Sequence, residues 1–335
     1  MVIRDKQELK RCVKQAVRRA QVIETDFSFD LVSGALGVSE LLQTWAAPSG
    51  APNDALRRAM ANGTPFSEDA AAMFAALGAL ELPSHNLNNA QTIQQSYDRN
   101  AYLREVLDAM RARRVLVRAP AERVNEFAFD DERFAPMLCV DCFSFFRSGR
   151  YGIDYEEKAR EIELLLETCG ARDLYAEYAD ADALHYALIP VSEDTGCVLH
   201  LYAANEDQLC QMDVLLEEHP NARAVISCDA SVERLMIDLA QYRENVLPRI
   251  GCMENMRYAL GRLNTRFIPF ASEAQLPEQM LGRWELARET IWQTLLEAYL
   301  PLARAGYELT SEAIAGDVAR LLGGNLDGFY GNTIY

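Results

Sequence analysis

A series of polar residues, each closing a short apolar run, marks where this chain could do chemistry. Asp26 and Ser28 end the run from Val22, Arg118 ends Arg114-Val-Leu-Val-Arg118, and Asp141 ends Met137-Leu-Cys-Val-Asp141. Tyr178, then His200 with Tyr202, then Ser227 with Asp229, then Ser272 with Glu273 stand at the ends of later runs. The carboxylates could act as acids or bases, Arg118 could hold an anion, and His200 could serve as a base or ligand. The alternative for each is ordinary: Arg118 in a structural salt bridge, His200 as a hydrogen-bonded core residue, and the carboxylates as hydrogen-bonded polar groups.

The runs that carry these residues alternate with helical patterns. A helix over 5–20 buries Leu9, Cys12, Val13, Ala16 and Val17, and its basic residues read as a solvated face. A strand at 21–28 follows. Residues 34–110 contain no strand pattern and read as helices near 37–46, 53–61, 67–79 and 90–112, a long helical insertion. Strands at 114–118 and 137–141 come next. After them, helices at 154–168, 181–193, 206–218 and 231–242 each precede a strand, at 173–178, 197–202, 222–227 and 246–251. A last strand at 266–271 leads to helices at 277–304 and 310–321. Eight strands with alternating helices are the tally of an α/β (β/α)8 TIM barrel, a single domain over 1–335 with a helical insertion at about 34–110 after strand one. In such barrels the site lies at the strand C-termini, where the polar residues above fall.

Composition narrows the function classes. Of 335 residues, 50% are apolar and 25% charged, which is ordinary for a globular protein, and the formal charge of −17 opposes a nucleic-acid surface. No apolar run reaches membrane-spanning length, and no secretory signal is apparent. The eight cysteines are scattered and read as reduced thiols of a cytoplasmic protein. Cys139-Val-Asp-Cys142 matches a C-x-x-C pattern, but three residues apart on a strand point to opposite faces, so it reads as structural. Gly323-Gly324 fits a helix C-terminus better than a phosphate loop. Of the other histidines, His85 lies in a loop, His185 on a helix and His219 in a turn, and no pair has metal-ligand spacing.

Four blocks resemble the uronate isomerase (glucuronate isomerase) family of the metal-dependent hydrolase, or amidohydrolase, superfamily. They are Asp131-Glu-Arg-Phe-Ala-Pro-Met-Leu-Cys-Val-Asp141, Leu215-Leu-Glu-Glu-His-Pro-Asn-Ala-Arg223, Phe267-Ile-Pro-Phe-Ala-Ser-Glu273 with Leu276-Pro-Glu-Gln-Met280, and the tail Asp317–Gly331. The likeness runs in order through nearly the whole chain. It implies a TIM barrel and the aldose–ketose isomerisation of hexuronates such as glucuronate and galacturonate, a step of carbohydrate metabolism that needs a metal or acid, a base, and cations for the substrate carboxylate. The resemblance also implies departures. The metal-binding His-x-His of strand one becomes Asp26-Phe27-Ser28, and the metal-binding aspartate of strand eight becomes Glu273. Two substrate arginines become Cys139 and Gln275.

What remains is Asp26 and Glu273 as acid and base, Arg118, His200, Tyr202 and Gln275 around a sugar acid, and Asp26, Ser28 and Glu273 as an all-oxygen metal set. Among Mg²⁺, Mn²⁺, Ca²⁺ and Zn²⁺, that set suits the first three better than Zn²⁺. Two readings stay open: a divergent isomerase, and a catalytically inactive pseudoenzyme that binds a small ligand or a partner. A homo-oligomer is expected by resemblance, with no nucleic-acid or membrane partner.

Overall fold

Apolar runs buried on both faces build a parallel sheet at the centre of the molecule. The computed structural model describes Ile3 and residues 5–28, 68–82, 99–126, 131–146, 153–177, 179–274 and 277–330. The helices expected near 37–46 and 53–61 lie outside these residues, as do His85, Tyr178 and Gln275. Helix α1 (Lys6–Arg19) is capped by Asp5, which accepts from the Glu8 N–H at 2.8 Å, and it precedes β1 (Val22–Ser28). Between β1 and β2 the described elements are α2 (Glu68–Ala79) and α3 (Arg99–Met110). Then come β2 (Ala112–Pro120), β3 (Phe134–Asp141), the short α4 (Cys142–Phe145), α5 (Tyr155–Cys169) and β4 (Asp173–Glu177). A composite helix, α6, passes through a π-helical turn at Leu184–Leu188 into Ile189–Thr195. It is followed by β5 (Val198–Ala203), α7 (Glu206–Glu218), β6 (Arg223–Cys228), α8 (Glu233–Ala240) and β7 (Val246–Pro248). The chain continues through α9 (Met256–Leu263), the long α10 (Pro277–Arg304), α11 (Ser311–Ala319) and α12 (Asn325–Phe329).

The seven strands pair in parallel in sequence order, and the sheet curls around an apolar layer. Each strand gives that layer one side chain: Ile23, Leu116, Met137, Tyr175, Val198, Val225 and Leu247. The strand expected at 266–271 is not a strand. It continues alongside β7 through a bridge between Ile268 and Arg249, the residue just past that strand, and the Ala274 that follows it bridges β1 at Phe27. Pro269 has no N–H to donate, and the Ser272 N–H goes to a Glu24 side chain rather than to a ladder. Ile268 nevertheless joins the inner layer, so the segment spans both edges of the sheet. The glycine pair also differs from expectation. It sits in a π-helical turn between α11 and α12 rather than at a terminus, and a side chain on Gly323 would meet Ile23 of β1 at 2.8 Å.

The larger core lies between the sheet and its helices, and α10 is its spine. Arg288 of α10 is buried, and among the described residues no carboxylate forms an ion pair with it. Its guanidinium donates to the carbonyls of Val17, Ala20 (3.1 Å) and Met110 (2.9 Å), joining the ends of α1 and α3. Gly282 lets α2 approach, because a Cβ there would stand 1.9 Å from the Ala72 carbonyl oxygen. No helix among the described residues is long and apolar enough to cross a membrane. Gly282→Ala should therefore destabilise the protein by about 3 kcal/mol or more, read by urea unfolding, because backbone must move to admit the methyl group. Arg288→Met should cost about 2–4 kcal/mol by leaving buried carbonyls without donors.

Candidate functional site

The alternation of a regular strand would put Glu24, Asp26 and Ser28 on one face. A bulge prevents this: Glu24 pairs with Val115 and Phe27 with Val117, so three steps on β1 match two on β2. Glu24 consequently faces α10, where Trp284 Nε1 donates to its Oε2 at 2.7 Å. Asp26 faces the inside of the curl instead. There its Oδ2 accepts from Arg118 Nη2 of β2 and from Arg249 Nη1, just past β7, both at 2.6 Å. Arg249 Nη2 also donates to Glu273 Oε1 at 3.2 Å. The Arg118 guanidinium lies 3.9 Å from the centre of the Tyr175 ring, a close cation–π contact.

Burial grades these groups. The Asp26 side chain is 4% exposed and that of Arg249 9%, whereas Arg118 is 29% and Glu273 65% exposed. Glu273 stands on a left-handed backbone (φ 48°), a conformation that costs energy for a residue with a Cβ. Its turn is held from outside by Arg283 of α10, whose Nη1 donates to the Ser272 carbonyl at 2.6 Å and the Glu273 carbonyl at 3.3 Å. Burial alone would raise the Asp26 pKa, but Arg249 and Arg118 outweigh it and hold the carboxyl below its ordinary range. Burial likewise opposes charge on Arg118 and Arg249, and Asp26 more than restores it.

The structure thus brings together Asp26, Arg118 and Glu273, with Arg249 between them. Ser28 ends β1 in register with Arg118. Tyr202 stands on the rim, its hydroxyl donating to Asp229, and that bond pushes its pKa up to about 12. His200 is elsewhere: it is buried, and its Nε2 donates at 2.8 Å to Asp173, the first residue of β4. The Tyr330 hydroxyl donates to the same carboxylate at 2.8 Å, so His200 belongs to a buried network near the strand N-termini. Arg249 is absent from the sequence-derived candidates. Its signal was a lone charge in Val246-Leu-Pro-Arg-Ile250, a run otherwise apolar.

Within the oxygen set expected for a metal, Asp26 is already engaged. Asp26 Oδ2 is shared by two guanidiniums, so a divalent ion would enter beside two fixed positive charges. Among the described residues no three His, Cys, Asp or Glu side chains converge as a ligand group.

No protein-family model matches the chain. No curated protein matches it either. Solved structures do. A uronate isomerase from Bacillus halodurans C-125 superposes with a TM-score of 0.86 at 18% identity, covering 98% of this chain and 97% of that one. The chain has the uronate isomerase fold. A uronate isomerase from Thermotoga maritima (TM-score 0.69, 10% identity, 96% and 97% covered) and a glucuronate isomerase from Caulobacter crescentus (0.65, 12%, 98% and 95%) show the same similarity.

Two pH effects of opposite sign follow. The Asp26 pKa is lowered on folding, so its contribution is present above the unfolded carboxylate range and is lost as pH falls through the folded value. Glu24 is raised by burial from 4.5 to about 7, so its contribution is present below 4.5 and is lost as pH rises through 7. Asp26→Asn should cost about 3–5 kcal/mol at neutral pH by stranding two guanidiniums, with the difference from wild type narrowing in acid. Glu24→Gln should instead flatten the decline in stability between pH 5 and 8, measured by denaturation across that range.

Proposed function

We propose that this chain is a divergent uronate-isomerase-like (β/α)8 barrel whose mouth binds a hexuronate-like sugar acid through Arg118 and Arg249. In this reading residues 266–274 serve as the eighth stave, and the chain forms one domain with its insertion after β1. The observation that carries the proposal is the pair of guanidiniums converging on Asp26 at the C-terminal end of the sheet. A ligand carboxylate would dock on the exposed edge of Arg118, while Glu273, Tyr202 and Asp229 offer acceptors and a donor for sugar hydroxyls. Burial and two counter-charges favour binding over base catalysis at Asp26, because a carboxylate held ionised by two cations is a weak base. The pseudoenzyme alternative is therefore the better supported of the two.

The isomerase reading keeps one observation in its favour. Glu273 is an exposed carboxylate beside Arg249, placed to exchange a proton with a bound sugar. Titration calorimetry with galacturonate and glucuronate should give saturable 1:1 binding, and Arg118→Ala should weaken it about tenfold or more. An aldose–ketose assay on the same samples, with and without added Mg²⁺ or Mn²⁺, should show no turnover. Turnover lost in Glu273→Gln would establish the isomerase instead, and the absence of binding to either hexuronate would overturn the sugar-acid reading.

A further inference from the structure

We infer that Glu24 is a positioning residue for the mouth: its wholly buried carboxylate fixes the backbone that presents Asp26 and Glu273 to Arg249. Three N–H groups from three parts of the chain converge on it. The Asp26 N–H donates to Oε1 at 2.8 Å. The Ser272 N–H is shared between the two oxygens at 3.2 and 3.1 Å, and Trp284 Nε1 donates to Oε2 at 2.7 Å. No cationic side chain pairs with Glu24 among the described residues, although it is 0% exposed.

This arrangement is specific to a carboxylate. Both oxygens act as acceptors, so a glutamine would turn its NH₂ group toward a donor on one side. Burying an anion without a counter-ion is costly, and burial accordingly raises its pKa. The groups it holds explain why an anion is placed there. The bulge leaves an extra residue in β1, and the Asp26 N–H is taken by Glu24. On the other side, Ser272 immediately precedes Glu273, which has a left-handed backbone. Trp284 packs edge-on against Phe270, with ring centres 5.1 Å apart, and so anchors the clasp to α10. One carboxylate thus joins the bulge, the Ser272–Glu273 turn and the supporting helix, and the two carboxylates facing Arg249 hang from that joint.

The affinity readout rests on the sugar-acid proposal, so a second readout is needed that does not depend on any ligand. The test is Glu24→Gln in protein labelled with ¹⁵N-arginine, studied above pH 8, where Glu24 is ionised, and at a temperature where melting shows it folded. The Arg118 and Arg249 side-chain Nε resonances should shift from their wild-type positions, and galacturonate affinity should fall about tenfold, since small misplacements are magnified in a preorganised site. A lower melting temperature with unchanged arginine resonances and affinity would overturn the proposal, because a merely structural clasp gives that result. If Glu24→Gln does not fold, Glu24→Asp keeps the charge on a shorter arm: smaller shifts in the same resonances support the inference, and none overturn it. If the wild-type protein binds no hexuronate, the sugar-acid reading fails, but the arginine resonances still decide the role of Glu24.

Discussion

The carboxylate of Asp26, shared at 2.6 Å by Arg118 and Arg249, is the interaction on which the rest of the site depends. Charges this buried are tolerated only when paired and well oriented, and the partners here come from β1, β2 and the end of β7. Their meeting therefore requires the sheet to curl far enough to bring its first and seventh strands to one place. The inner apolar layer supplies that curvature, with a side chain from each strand and Ile268 from the segment that bridges both edges. The charged cluster sits at the strand C-termini above this layer.

The site is supported mainly from outside the sheet, by α10. Trp284 reaches Glu24, Arg283 holds the Ser272–Glu273 turn, and Arg288 joins the ends of α1 and α3. Gly282 admits α2 onto the same helix. A single helix thus connects the packing of the N-terminal elements to the geometry of the mouth. On the sugar-acid proposal, this support keeps the cations in place before a ligand arrives.

Much of this was legible in the amino-acid sequence, for identifiable reasons. Continuous apolar runs such as Val198–Ala203 and Arg223–Cys228 announce strands buried on both faces, and seven of the eight expected were found. The eighth was obscured because Phe267-Ile-Pro-Phe looks extended, while Pro269 and the side-chain partner of Ser272 interrupt any ladder. That Asp26, Arg118 and Glu273 lie near strand ends was readable from the apolar runs that precede them. Their mutual pairing was not readable, since it depends on a bulge between Glu24 and Phe27 that no local pattern marks. His200 shows the converse limit. Strand position placed it inside the curl, but only the fold reveals that Asp173 and Tyr330 draw it to the other end.

The central claim is that this uronate isomerase fold carries paired guanidiniums for a sugar acid where Asp26 would otherwise be free to hold a cation. A crystal structure grown with galacturonate and Mn²⁺ together, with anomalous scattering collected for manganese, tests it most directly. The account predicts the sugar carboxylate in hydrogen-bond contact with Arg118, Asp26 still shared by both arginines, and no anomalous peak beside it. A manganese peak on Asp26 with Arg118 and Arg249 turned away would contradict the account.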